Sequence, residues 1–257
     1  MANPVLERTF GTGAVPDAAI TEAQQQMLGQ TGPVSADTMT VQGVFRATLA
    51  LFAVVLVGAA YGWGAVGDTA TLPGWFLFAI LGMVALAITI AVRPALAPIL
   101  GPLYALAQGV LLGMLSRVYE TAFEGIVLNA VLATFATFIG MLILYGSGVV
   151  KATAKFRKVV VGATLGIGLF YLLSIVLSLF GAPMTFVWDG SPLGIFISLG
   201  IIVVAALNLV LDFDFIDRGV AAGLPSRTEW LAGFGLMVTI VWLYLEFLRL
   251  FARLNQR

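Results

Sequence analysis

Apolar runs of similar length, separated by short polar segments, fill the chain after its first forty residues. The runs cover residues 47–66, 73–92, 94–116, 126–150, 159–181, 192–215 and 230–251. Each run is close to the roughly 20 residues that an α-helix needs to cross the hydrocarbon core of a bilayer. The pattern therefore predicts an all-α integral membrane protein with seven transmembrane helices.

The composition agrees with a membrane protein and narrows its chemistry. Hydrophobic residues make up 60% of the chain and charged residues 10%, whereas soluble domains carry roughly 25% charged residues. The formal net charge is zero, so we expect no nucleic-acid partner. The chain has neither cysteine nor histidine, which removes thiol catalysis and the commonest transition-metal ligands. We therefore expect neither an enzyme nor a bound cofactor.

The first forty residues differ from the rest of the chain. Residues 1–40 are rich in Gln, Gly, Thr and Ala, and they lack the basic start and the apolar core of a signal peptide. This composition favours a flexible tail. Residues 41–254 then form one seven-helix transmembrane domain.

The lysines and arginines are distributed unevenly between the two sides of the predicted bundle. Nine lie on the side of the N-terminus and three on the other, and Arg249 falls inside the last run. Because basic residues accumulate in cytoplasmic loops, the N-terminus is predicted to be cytoplasmic and the C-terminus external. The nine are Arg8, Arg46, Arg93, Lys151, Lys155, Arg157, Lys158, Arg218 and Arg227; the three are Arg117, Arg253 and Arg257.

The basic cluster "KATAKFRK", Lys151 to Lys158, has two interpretations. As a topology anchor it needs no ligand, and this interpretation is favoured. The alternative is a contact with anionic lipid or with a partner protein.

Two pairs of glycines have the small-xxx-small spacing that lets membrane helices approach closely. They are Gly109 with Gly113 in "GVLLG" and Gly162 with Gly166 in "GATLG". Both pairs are predicted to pack inside the bundle, with a contact between copies of the chain as the alternative.

Three charged residues lie at or near membrane depth, where each costs about 2.5–3.5 kcal/mol at a helix centre unless it is paired or hydrated. They are Arg93, Asp212 and Glu246. For Glu246 the simplest partner is Arg249, one turn away on the same helix. Arg93 and Asp212 have a second interpretation as residues at the ends of their spans, in the headgroup region.

Three segments together resemble the Bax inhibitor-1 family, in its bacterial form: "PLYALAQGVLLGMLSRVYE", "LNLVLDFDFI" and "VWLYLEFLRL". The resemblance covers residues 40–254 and implies a seven-helix bundle with a central seventh helix, in a bacterial plasma membrane. It further implies that Asp212 and Glu246 share a proton and that Arg93 engages them. Characterised relatives leak calcium in a pH-dependent way, and others modulate a membrane protease or cell-death pathways.

The resemblance thus implies a pH-sensitive calcium leak in which the proton-sharing acids form the gate. Asp214 and Asp217, taken alone, are best interpreted as solvated loop acids, but in such a leak they would flank the cytoplasmic mouth, where carboxylate oxygens suit a hard cation such as Ca²⁺. Two other functions stay open: a regulator of a membrane protease or of a stress or death pathway, and a proton-coupled carrier. A retinal-binding protein is excluded, because the only lysines, Lys151, Lys155 and Lys158, lie in one loop.

Whether the two acids meet depends on where the last span begins. Counted from the ends of the apolar runs, Glu246 lies about 24 Å deeper than Asp212 at 1.5 Å per residue. The segment "SRTE", Ser226 to Glu229, has the form of a helix-capping box. If the crossing starts near Leu236 and the sixth helix continues to Arg218, both acids reach one depth.

Overall fold

A computed structural model describes residues 38–66, 71–182 and 190–256, without the side chain of Leu179. The chain divides into two units, Met1–Thr38 and Met39–Arg257. The fold below is that of the second unit. Of the tail predicted for residues 1–40, residues 1–37 lie outside the described residues.

Seven α-helices follow one another in the described ranges, and the predicted all-α membrane fold is confirmed. Six are long and apolar enough to cross a membrane, whereas the second has only 17 residues, or about 25 Å. The 3₁₀ turn Pro94–Leu96 joins the second helix to the third. The helices are α1 Val41–Val66, α2 Phe76–Val92, α3 Ala97–Ala122, α4 Ile126–Gly146, α5 Ala154–Leu179, α6 Pro192–Ala221 and α7 Thr228–Asn255.

Local signals explain several of these helix ends. Pro94 follows the last residues of α2, and a proline disfavours the helical conformation in the residue before it. Thr153 and Ser191 are the N-caps of α5 and α6, where their side chains accept hydrogen bonds from Phe156 N and Gly194 N. The sixth helix continues past Arg218 to Ala221, as the sequence suggested.

The expected capping box at Ser226–Glu229 is wrong. The N-cap of α7 is Arg227, and no side chain caps it. The Glu229 carboxylate instead accepts hydrogen bonds from the backbone N (2.8 Å) and the hydroxyl (3.0 Å) of Thr40. The same hydroxyl accepts from Gly43 N, so Glu229 and Thr40 together hold the start of α1 against the start of α7.

The helices alternate in direction along the chain. Thr48, near the start of α1, lies beside Gly233, near the start of α7. Ser116, near the end of α3, forms a hydrogen bond with Tyr244 in the second half of α7. The odd-numbered helices therefore begin at the end of the bundle where α7 begins, and the even-numbered helices end there. We call this end the basic face, because its loops and helix ends carry Arg93, Lys151, Lys155, Lys158, Arg218 and Arg227.

The last helix is the centre of the bundle. It packs against α1, α3, α4 and α6. In its most apolar stretch 67% of the residues are buried, against 11–39% in the other long helices. Met237, Leu243 and Leu248 have no exposed surface. The central seventh helix implied by the family resemblance is therefore present.

One of the two glycine pairs packs as predicted and the other does not. A Cβ on Gly109 or Gly113 of α3 would overlap the backbone of Val55 or Ala59 on α1. A Cβ on Gly162 or Gly166 would meet nothing, because that face of α5 has no neighbouring helix. The prediction that "GATLG" packs inside the bundle is therefore wrong.

The glycine contact can be tested with alanine, which favours a helix over glycine by roughly 0.5–1 kcal/mol. We expect Gly113→Ala to lower the melting temperature in detergent, because overpacking typically costs about 1–3 kcal/mol. Gly166→Ala is the matched control and should be neutral or stabilising. Equal melting temperatures for the two variants would contradict the close approach of α1 and α3.

Candidate functional site

The three aspartates of α6 point to three different helices. At 3.6 residues per turn, Asp212 and Asp214 differ by about 200° around the helix axis, whereas Asp214 and Asp217 differ by about 60°. Asp212 therefore faces α7, Asp214 pairs with α5 and Asp217 bonds α4. The crowded carboxylates do not form one site, since each connects α6 to a separate neighbour.

Asp212 lies in the interface between α6 and α7. Its Oδ1 is directed at Gly235, where a Cβ would lie only 3.6 Å away, and Thr239 lies beside it. The Thr239 hydroxyl donates to Gly235 O at 3.1 Å, and a hydroxyl has only one proton to give. Oδ2 of Asp212 is buried without a hydrogen-bond partner among the described residues.

Glu246 has a different environment, although it too faces the interior. It is completely buried, and its Oε1 accepts from Arg249 Nη1 (2.7 Å), the Tyr171 hydroxyl (2.9 Å) and Trp242 Nε1 (3.3 Å). Arg249 also donates to the Tyr171 hydroxyl at 2.7 Å. The carboxylate charge is therefore compensated by the guanidinium one turn away on α7.

The register between α6 and α7 keeps Asp212 and Glu246 apart. Arg253 near the end of α7 bonds Gly194 O and Ser198 Oγ near the start of α6. Ser198 and Asp212 are 14 residues apart (212 − 198), as are Thr239 and Arg253 (253 − 239), so the helices remain in step. Glu246 then lies seven residues beyond Thr239, about 10 Å from the level of Asp212. The proposed proton-sharing pair is not formed in this structure.

Arg93 is paired with neither acid. It is the C-cap of α2, its side chain is exposed, and in the described part of the chain it forms no ion pair with Asp212 or Glu246. Ile90, one turn earlier, packs in the cluster that contains Phe234. Glu246 lies twelve residues further along α7, or about 18 Å. Arg93 therefore does not act on Glu246 in this conformation.

Asp214 and Asp217 lie at the basic face, but both are engaged. Asp214 Oδ2 forms two ion pairs, with Arg157 Nη2 and with Arg218 Nη2, each at 2.8 Å. Asp217 accepts a hydrogen bond from the Tyr145 hydroxyl at 2.8 Å. Within the described ranges no group of three or more acidic side chains could hold a metal ion. Each of these aspartates therefore uses one carboxylate oxygen, Oδ2, in a contact with a neighbouring side chain, and the two do not belong to a cluster of acids that could hold a metal ion.

Sequence reasoning missed some of the residues around the buried acids. Trp242, Glu246 and Arg249 are spaced i, i+4 and i+7, so one helix face could have been inferred for all three. Gly235 and Thr239 are likewise four residues apart, so they share the face of α7 that lies opposite Asp212. Nothing in the sequence signals Tyr171, which reaches Glu246 from α5.

The match to a family model covers nearly the whole chain. The model described as Bax inhibitor 1 like matches residues 3–256. The chain belongs to the Bax inhibitor 1 like family. The resemblance seen in three segments is thereby confirmed, and the match extends through the N-terminal residues that precede the bundle. Searches of curated proteins and of solved structures found no match.

Within this Bax inhibitor 1 like protein, the two buried acids have opposite electrostatic situations. Glu246 has a counter-charge in Arg249 and accepts two further hydrogen bonds, from Tyr171 and Trp242. Asp212 has no basic partner among the described residues, and a lone buried charge is costly. The pair is thus better described as one structural ion pair and one uncompensated acid.

The ion pair on α7 can be tested by removing its members in turn. Arg249→Met leaves a buried carboxylate without a counter-charge, so we expect a loss of about 3–5 kcal/mol in the free energy of unfolding. Adding Glu246→Gln should restore much of it. Thermal unfolding in detergent measures both effects, and Arg46→Met, which removes an exposed arginine of α1, is the control. A double variant no more stable than Arg249→Met would show that the two residues are not coupled.

Proposed function

We propose that this protein is a pH-sensitive cation leak of the Bax inhibitor-1 type, with calcium as the permeant ion and Asp212 as the proton-sensitive group. One observation supports this assignment above the others: Asp212 lies in the interface between α6 and α7 with a buried, unpartnered Oδ2 and, in contrast to Glu246, without a basic side chain paired to it among the described residues. Family membership and the six long apolar helices support a membrane protein of this kind. The carboxylate pair is replaced in this proposal by a single acid.

The surroundings of Asp212 explain how pH would act. With a proton, Asp212 is neutral and compatible with the closed contact between α6 and α7. When the proton leaves, a charge remains at membrane depth without a counter-ion, at a cost of about 2.5–3.5 kcal/mol. Separation of the two helices at Gly235 would admit water or a cation and remove that cost. The leak is therefore closed at acidic pH and opens as pH rises.

Asp212 is also suited to contact a passing cation. Carboxylate oxygens are the hard ligands that Ca²⁺ prefers. Asp212 lies nine residues before the end of α6 at Ala221, about 13 Å from that end. Its facing residue, Gly235, has no side chain that would obstruct the interface. Glu246 is less suited, because Arg249 would repel a cation there.

The pH response should disappear when Asp212 is made neutral. In proteoliposomes loaded with a calcium indicator, we expect the wild-type flux to rise with pH, by up to about a hundredfold if the full cost of the charge acts on opening. Asp212→Asn should give a flux that no longer changes with pH. Glu124→Gln, a neutralised acid exposed between α3 and α4, should keep the wild-type profile.

Three outcomes would contradict the proposal. The first is a flux no greater than that of empty liposomes at every pH. The second is a wild-type pH profile in Asp212→Asn. The third is a flux that saturates with a defined solute and follows the proton gradient, which would identify a proton-coupled carrier.

The orientation in the membrane is a separate proposal, with the N-terminus cytoplasmic and the C-terminus external. The alternating helices place the start of α1 and the end of α7 at opposite ends of the bundle, and nine basic residues against three favour the basic face as cytoplasmic. Reporter fusions to each terminus measure this directly. Both reporters active on one side would mean that α2 does not cross.

A further inference from the structure

A long apolar groove runs between α1 and α4, with α7 and parts of α3 and α6 as its floor. Its volume is about 1080 Å³. Along α1 it extends from Val41 to Trp63, about 33 Å at 1.5 Å per residue, which is close to the roughly 30 Å of a bilayer core. The exposed side chains of Phe45, Leu56 and Phe135 form its rims.

The few hydroxyl groups along the groove are bonded inside the protein. Thr48 donates to Val44 O at 2.8 Å, and Thr134 donates to Ala130 O at 2.7 Å. Ser116 and Tyr244 bond each other at 2.7 Å. The groove therefore offers mainly carbon atoms, which favours a hydrocarbon chain as its occupant and disfavours water or an ion.

A polar pocket of about 410 Å³ continues the groove at the basic face. Tyr145, Gly146 and Asp217 line both spaces. The remaining wall includes Lys151 and Thr153 from the segment between α4 and α5. The two spaces thus form one site with a long apolar part and a polar end.

The charge around the polar pocket favours an anion. Asp214, which lines it, is shared by two guanidinium groups, and Asp217 is bonded by Tyr145. In addition, Arg157 Nε is a buried donor without a partner among the described residues. Three basic residues lie at this pocket against two acidic ones, a surplus of one positive charge (3 − 2): Lys151 lines it, and Arg157 and Arg218 pair with Asp214.

We propose that the groove and the pocket together bind one phospholipid with an anionic headgroup, whose acyl chains lie between α1 and α4 and whose phosphate contacts Lys151. A topology anchor explains why basic residues lie on this face, but not why an apolar groove leads into their midst. The site is separate from Asp212, so it does not depend on the proposed leak.

Lipid binding by the full chain, purified in mild detergent, can be measured by native mass spectrometry. Phosphatidylglycerol and phosphatidylcholine with the same acyl chains are compared. We expect wild type to bind the anionic lipid about fivefold more tightly, the contribution of one lysine near an anionic headgroup. Lys151→Gln should lose this preference. Lys155→Gln, an exposed lysine of the same cluster that does not line the pocket, should keep it.

The groove is tested by filling it. Leu56→Trp should weaken the binding of both lipids, whereas Leu165→Trp, an equally exposed position on α5 outside the groove, should change neither. Melting temperatures of all variants, measured without added lipid, separate lost binding from lost folding. Glycerol phosphate alone should not compete.

The proposal is overturned by any of three results. Equal binding of the two lipids by wild type shows that the pocket does not select an anion. Equal losses in Lys151→Gln and Lys155→Gln show only a diffuse basic surface. Competition by glycerol phosphate as effective as that of the whole lipid shows a site for free anions that does not use the groove.

Discussion

The antiparallel register of α6 against α7 determines which charged groups in the bundle can meet. Arg253 fixes one end of that register through Gly194 and Ser198, and Asp212 beside Thr239 marks the same register 14 residues away (212 − 198). The central helix α7 also packs against α1, α3 and α4, so its position beside α6 affects those contacts as well. Glu246 is therefore placed beside Tyr171 and Arg249 and away from Asp212.

As a consequence, the acidic side chains near this interface are partnered by residues close to them, whether they are buried, as Glu246 is, or exposed, as Asp217 is. A charged group in a low-dielectric interior needs a partner within a few ångströms. Glu246 has Arg249 on its own helix, Asp214 has Arg157 and Arg218, and Asp217 has a hydroxyl. Asp212 is the exception among these acids, and an unbalanced acid inside an otherwise balanced bundle is where a change of protonation has most effect on helix packing.

The helices could be predicted well from the sequence, because a helix that crosses the apolar core of a bilayer needs a long run of hydrophobic residues. The sixth helix was placed at 192–215 and observed at Pro192–Ala221; polar residues such as Asp217 and Arg218 hid its last turns. Contacts between helices were harder to predict from the sequence. "GVLLG" and "GATLG" have the same spacing, yet only the first faces a neighbour, because the difference depends on which helix lies opposite. The Glu246–Arg249 pair, by contrast, follows from local spacing alone.

A movement that brought Asp212 and Glu246 together would have to slide α7 by about two turns, or 10 Å. That slide would separate Arg253 from Ser198 and Gly194, and Glu229 from Thr40. It would also carry Gly233 away from Thr48, so that larger side chains would face the tight contact with α1. Packed helices do not deform continuously over such distances. A local separation at Gly235, by contrast, disturbs only the region around Asp212 and Thr239. Any gating by Asp212 is therefore expected to open the interface locally while the two ends of α7 remain anchored.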